Sequence, residues 1–241
     1  MREKSVRKLC VLQHTEAEYL GRMEDHLENR AISFGYARPF VPGGAVPPDA
    51  RGYDGLVVLG TAPYGVTSGP LLPSLGAEIR LVRDFLARRL PVIGFGTGAT
   101  LLCIASGGGA EEAALKVEVG EVRRVDPEAL SGHLPAAYLQ LVCMRDRPVL
   151  PADATILARD AAGDPALFAV RENCLGFAGH PGIKAGMLED LILAFDAMPE
   201  ESTAALVELR ARQTAFSGAL GDIMIGIMKA TGLMDAAIKS A

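Results

Sequence analysis

Between Arg88 and Gly109 the sequence reads RRLPVIGFGTGATLLCIASGGG. A short apolar run, Pro91-Val92-Ile93, meets a tight glycine turn, and an apolar helical pattern starts near Thr100. A strand-to-helix turn of this kind lifts the residue at its apex clear of both elements, which is where many hydrolases carry an activated nucleophile. The apex here is Gly96, which has no side chain to attack with. Further along, LGFAGHPG puts His180 just after another apolar run, with Gly182 two residues later. An imidazole there can donate to or accept from a ligand near neutral pH. The backbone N–H groups of Gly96, Thr97 and Gly98, at the head of a helix, can hold a carboxylate or phosphate. Equally, those glycines can do no more than keep a turn geometry.

No other side chain nearby offers a substitute nucleophile. Thr97 is one residue off the apex, and no base is placed beside it by sequence. Cys103 lies seven residues beyond the apex in TLLCIA, more than one 5.4 Å turn down the helix, where core packing is the better reading. The four cysteines (Cys10, Cys103, Cys143 and Cys174) show no CxxC and no metal-ligand spacing; three lie in apolar runs and read as core thiols of a reducing compartment, the cytoplasm. His14, His26 and His133 have no ligand spacing either, and read as surface or structural groups. Neither a metal nor a cofactor is expected. Gly94-x-Gly96-x-x-Ala99 fits a dinucleotide fingerprint, but out of context: the turn follows an interior strand, and Glu111 and Glu112 lie in a loop or helix start instead of ending a strand.

The elements that must position these residues alternate strand and helix. KLCVLQH (8–14), YDGLVVLG (53–60) and PVIGF read as buried strands, and GAEIRLVRDFLARR (76–89) as an amphipathic helix with Ile79, Val82, Phe85 and Leu86 inside. EAEYLGRMEDHLENRA (16–31) has apolar residues at helical spacing, and ISFGYARPF is a short strand. Between the elbow and His180 the pattern turns to short strands, ALKVEVGEVRRVD, VCMRDRPVL, ATILARD, PALFAVREN and CLGFAGHPG, with a helix from Met187 to Ala197 closing the unit. Buried strands alternating with helices imply a doubly wound, mostly parallel sheet, here with an antiparallel extension. In such a sheet a ligand crevice lies beyond the carboxyl ends of the strands, and three loops point there: after Gly60, after Phe95 and after Phe177.

Composition excludes several classes. The 241 residues are 49% hydrophobic and 22% charged with a net charge of −5, which suits a globular chain and gives no reason to expect nucleic acid. The longest apolar runs fall far short of a membrane span, and the basic start MREKSVRKLCVLQH stops being apolar too soon for a secretory signal.

The chain from about residue 8 to 197 resembles the class I glutamine amidotransferases, triad-type glutaminase domains. YDGLVVLG resembles the family strand before its oxyanion glycines, PVIGFGTGATLL the elbow P-V-x-G-x-C-x-G-x-Q-x-L, and LGFAGHPG the segment G-x-Q-F-H-P-E. VGEVRRVD and MRDRPVLPADATILARD fit the stretches between. The resemblance implies a flavodoxin-like α/β fold over 1–197. It also implies a glutaminase whose cysteine thiolate, histidine base and orienting glutamate act together. At those positions stand Gly96, His180 and Gly182. The family glutamine four residues after the nucleophile is Thr100, and Thr61 follows Gly60 where paired glycines are usual.

Two readings follow. One is a family-like protein without glutaminase activity, a binding or scaffolding subunit beside a biosynthetic enzyme. The other is an enzyme with altered chemistry in the same pocket, using His180 on a non-glutamine small molecule. Gly60, Thr61, Gly96, Thr97, Gly98, Thr100 and His180 are the candidate ligand contacts, and a small anion the expected ligand, its binding aided by protonated His180. The remaining 198–241 is expected to be a helical extension that starts at a Ser202 cap and carries Leu206, Leu209, Phe216, Leu220, Ile223, Ile227 and Met228 on one face, open to a homodimer contact.

Overall fold

The computed structural model describes residues 6–234; the first five residues and the last seven of the expected extension lie outside the described residues. The chain runs β1 (Arg7–Leu12), α1 (Met23–Glu28), β2 (Ile32–Ala37), β3 (Gly55–Val58), α2 (Leu75–Ala87), β4 (Val92–Phe95), α3 (Thr97–Ala105), β5 (Gly109–Glu111) and β6 (Lys116–Arg124). It continues with β7 (Ala137–Met144), β8 (Arg147–Val149), β9 (Thr155–Asp160), β10 (Pro165–Val170), β11 (Cys174–Phe177), α4 (Ala185–Ala194), α5 (Glu201–Ala211) and α6 (Gln213–Thr231). Among the described residues one sheet takes the order β2-β1-β3-β4-β11-β10-β9-β6-β7. Its β2-β1-β3-β4-β11 half is parallel and the rest antiparallel. The doubly wound α/β architecture with an antiparallel extension is therefore present.

The apolar runs form the interior strands because both of their faces are covered: β3, β4 and β11 are buried at every position. Along β1 the two-residue period divides the layers. Leu9 and Val11 pack with α1 and α6 on one face, and Cys10 and Leu12 with α2 and α3 on the other. A third cluster joins β7 to α4, α5 and the start of α6 through Leu139, Leu141, Leu188, Leu191, Leu209 and Phe216.

Two expectations change in the structure. Helix occupies only Met23–Glu28 of the 16–31 stretch, because residues before it bond elsewhere. The Gln13 amide donates to the Thr15 carbonyl, the Glu18 N–H to Thr15 Oγ1, and the Arg22 N–H to the Gly182 carbonyl. The extension is two helices broken at Arg212, and Glu200, not Ser202, stands at the first N-cap; Ser202 is buried with its hydroxyl unpaired. Its apolar face packs in cis. Leu220, Ile223, Met224, Ile227 and Met228 join the core around Leu130, Leu134 and Val122, so these side chains are buried within the chain.

The loop after β3 is held by one buried carboxylate. Asp146 accepts from the Val66 and Thr67 N–H groups at 2.8 Å each, from Ala113 at 3.3 Å and from the Ser68 hydroxyl. Burial alone would raise its pKa, but these donors overcome it and hold the carboxyl down at about 2.

Two outcomes are expected. A folded pKa below the ordinary 3.8 contributes stability that is complete above that value and is lost as pH falls through about 2. Asp146→Asn should lower stability at neutral pH by roughly 2 kcal/mol and flatten the acid limb between pH ~4 and ~2, read by denaturant titration at each pH. Ending the chain at residue 197 uncovers the core face of α6, where each buried apolar side chain contributes about 1.5–3 kcal/mol. The shortened protein should lose cooperative thermal unfolding; a sharp transition at the full-length temperature would refute that packing.

Candidate functional site

The carboxyl ends of the parallel strands β1, β3, β4 and β11 bring four loops together. The loop after β4 is the elbow. Gly96 has φ +54 and ψ −122, a conformation disfavoured for residues with a Cβ, and its N–H donates to the Phe177 carbonyl at 2.8 Å. The turn is set by the approach of α3 to the sheet: a Cβ at Gly98 would lie 2.1 Å from the Val58 carbonyl oxygen. A Cβ at Gly96 meets nothing closer than the Cys143 carbonyl oxygen at 3.6 Å. The apex therefore has room for a side chain and carries none.

His180 is locked from three sides. Its backbone makes a two-way bridge to Leu141 of β7 (3.3 and 2.8 Å), and its ring stacks on Phe95, centroids 4.9 Å apart. The Gly182 N–H donates to Nδ1 at 3.1 Å. An Nδ1 that accepts leaves the proton of the neutral ring on Nε2, and Nε2 is shielded from solvent without a hydrogen-bond partner. Burial pushes the His180 pKa down to about 4, against a weaker pull from the carbonyls of Tyr19 and of His180 itself. This corrects the expectation that protonated His180 attracts an anion: near neutral pH the ring is uncharged.

Where an orienting acid would extend from residue 182, a Cβ would run into the Met23 side chain at 2.6 Å. Met23 opens α1, and the preceding Arg22 N–H is tied to the Gly182 carbonyl, so that space is filled from the loop after β1.

That loop is the part of the site that sequence reasoning missed. Glu18 is buried, and a Cβ at Gly60 would stand only 2.1 Å from its Oε1. Burial pushes the Glu18 pKa up to about 8, opposed by the charge on His14 and by a hydrogen bond from the Ala62 backbone. Its Oε2 is shielded and unpaired. Behind it His14, the structural case of the two expected, is buried and bonds through Nδ1 to the Gly60 carbonyl and through Nε2 to Glu78, each at 2.8 Å. Burial alone would lower the His14 pKa; Glu78, the Gly60 carbonyl and Glu18 outweigh it and raise it. The signal in the sequence was slight: HTEAEY directly follows the carboxyl end of a buried strand, where a crevice is expected.

Glu18, Gly60, Gly96, Cys143 and His180 line one cavity of ≈ 20 Å³, room for about one water-sized atom. Of the expected ligand contacts, Gly60, Gly96 and His180 meet there. Thr61, Thr97, Gly98 and Thr100 do not: Thr61 turns its hydroxyl to the Tyr64 carbonyl, the Thr97 and Thr100 hydroxyls are buried and unpaired, and Gly98 faces Val58. The four thiols are buried; burial raises Cys103 to about 12 and Cys143 well above the ordinary thiol value, so neither supplies a thiolate. Among the described residues no cluster of His, Cys, Asp and Glu forms a metal site.

With this geometry the chain can be set beside known proteins. No protein-family model and no curated protein matches it. Among solved structures it is similar to a glutamine amidotransferase from Methylobacillus flagellatus, with TM-score 0.78 and 20% identity over 94% of this chain and 96% of that one. It is also similar to a glutamine amidotransferase from Thermotoga maritima, TM-score 0.71 and 20% identity over 95% and 99%. A third is a candidate GMP synthase subunit from Thermoplasma acidophilum, TM-score 0.58 and 19% identity over 87% and 98%. At these identities the likeness is one of fold: the chain has the glutamine amidotransferase fold.

The elbow geometry carries a testable cost. Gly96→Ala should fold, since the Cβ has space, but lose about 1–3 kcal/mol to the positive φ. Gly182→Glu should lose more, because its stem must displace Met23. Denaturation midpoints of the two variants against the parent check the order.

Proposed function

We propose that this chain is a glutamine amidotransferase-like protein that does not hydrolyse glutamine and serves as a binding or scaffolding subunit beside a biosynthetic enzyme. The observation that carries the reading is the apex of the elbow, where Gly96 leaves the space of a nucleophile empty. Covalent catalysis at a strand-to-helix elbow requires a side chain at that point, and Cys143 across the cavity is held as a thiol. Met23 in the space beyond Gly182 and a ≈ 20 Å³ cavity, too small for an amino acid, support the same reading. The four buried free thiols suit the reducing cytoplasm, and among the described residues no helix is long and apolar enough to cross a membrane.

A second reading, altered chemistry on a non-glutamine small molecule, draws on one observation. Glu18 and His180 face the same cavity with pKa values pushed in opposite directions, the pattern of an acid and a base. The small volume of the cavity favours the first reading.

The purified full-length protein should release no ammonia from glutamine above a protein blank. Gly96→Cys should not recover useful turnover, because the neutral His180 ring carries its proton on Nε2, Gly182 offers no carboxylate, and triad members act as a unit. Glutamine hydrolysis by the parent that disappears in His180→Ala would sink the proposal.

A further inference from the structure

We infer that a second crevice, over the β1/β3 boundary of the sheet, is a binding site for a small organic cation with a flat apolar body. Chain order locates it. From β1 the chain passes to β2 on one side and then to β3 on the other, so the connections part at that boundary. In an open parallel sheet the loops diverge at such a switch point and leave a crevice beyond the carboxyl ends of the strands. The crevice here has a volume of ≈ 790 Å³, inside the range of roughly 300–1,000 Å³ usual for small-molecule sites. Its walls are His14–Ala17 after β1, Phe40 after β2, Tyr64 after β3 and the last turns of α4. It shares no lining residue with the cavity at the elbow.

The lining defines the chemistry of the ligand. Phe40, Tyr64 and Phe195 bring three aromatic rings to it, and Leu193 beside them is 80% exposed. Apolar surface gathered in one crevice and left open suits a ligand with an apolar face. The charges are of one sign. Glu16 and Asp190 come from separate elements, both are exposed, and neither is in an ion pair. Neither lysine nor arginine is among the lining residues. His14, the one basic residue of the lining, is engaged at both ring nitrogens by the Gly60 carbonyl and Glu78. The carboxyl end of α4 adds to the negative side. Among the described residues no N–H donates to the Leu193 or Ala194 carbonyl, and a helix C-terminus carries partial negative charge. These three sources repel phosphates and carboxylates and attract a cation. Aromatic faces hold a cation as well, best when it is flat and weakly hydrated. An amidinium or guanidinium on an aromatic or alkyl body has that chemistry.

The probes are benzamidine, its uncharged isostere benzamide and its anionic counterpart benzoate, titrated near neutral pH into 15N-labelled full-length protein. Benzamidine should bind saturably and roughly tenfold tighter than benzamide. The amide shifts should fall at residues 14–17, Phe40, Tyr64 and 190–195, and benzoate should not bind. Added salt should weaken benzamidine and leave benzamide as it was. Glu16→Gln combined with Asp190→Asn exchanges two exposed carboxylates for amides of the same shape. In that variant benzamidine should lose most of its advantage while benzamide binds as before. No saturable benzamidine binding, benzoate binding of equal strength, or an undiminished preference for benzamidine in the folded double variant overturns the inference. Shifts confined to Gly60, Gly96 and His180 overturn it too. Should the double variant not fold, each single variant is read in the same way. Ammonia release from glutamine would strike the earlier reading and leave this crevice as it stands.

Discussion

Everything at this site hangs on the contact between the first turn of α3 and the Val58 carbonyl. With no Cβ at Gly98, the helix sits close enough to the sheet for the chain to turn sharply at Gly96 and hand its N–H to the end of β11. That bond ties the elbow to the strand leading to His180, and the two-way bridge from His180 to Leu141 ties it to β7. The far edge of the antiparallel extension is thereby folded back against the parallel half, and β7 delivers Leu141 and Cys143 to the cavity. A helix standing farther from the sheet would lose the turn, the bond to Phe177 and the floor of the cavity together.

The electrostatics follow from how little water this arrangement admits. Glu78, His14, Glu18 and His180 run in series from α2 to the cavity, and for the last three burial is the largest influence, offset to different degrees by their partners. His14 is paired at both ring nitrogens and its pKa rises despite burial; His180 has one nitrogen unpaired and its pKa falls. Glu18, buried and with its Oε2 unpaired, tends to the neutral acid. Near neutral pH Glu18 and His180 therefore lean toward their uncharged forms, and the cavity wall is polar.

How much of this was legible in the sequence depended on periodicity. The buried strands showed themselves as apolar runs, and Gly96 as the apex of the turn after one of them, whereas His180 and Gly182 stood out through the resemblance of LGFAGHPG to the segment G-x-Q-F-H-P-E. The loop after β1 had no such ruler. Its residues 16–22 show apolar spacing that imitates a helix, yet their hydrogen bonds go to Thr15 and Gly182, a tertiary pattern that no local window contains. Glu18 and His14 were invisible for the same reason: isolated charged residues are usually solvated, and burial of these two is decided by partners far along the chain. The amphipathic tail was read correctly as apolar on one face, but one sequence cannot tell whether such a face meets its own domain or another copy.

The left-handed turn at Gly96 works as a ratchet. A side chain at that apex holds the backbone under tension of about 1–3 kcal/mol, and a glycine releases it. Met23 in the space beyond Gly182 adds a second tooth, since a carboxylate there would have to evict a packed thioether. Placing a side chain at Gly96 or a carboxylate at residue 182 is uphill at each single step, and neither step alone brings catalysis to offset its cost.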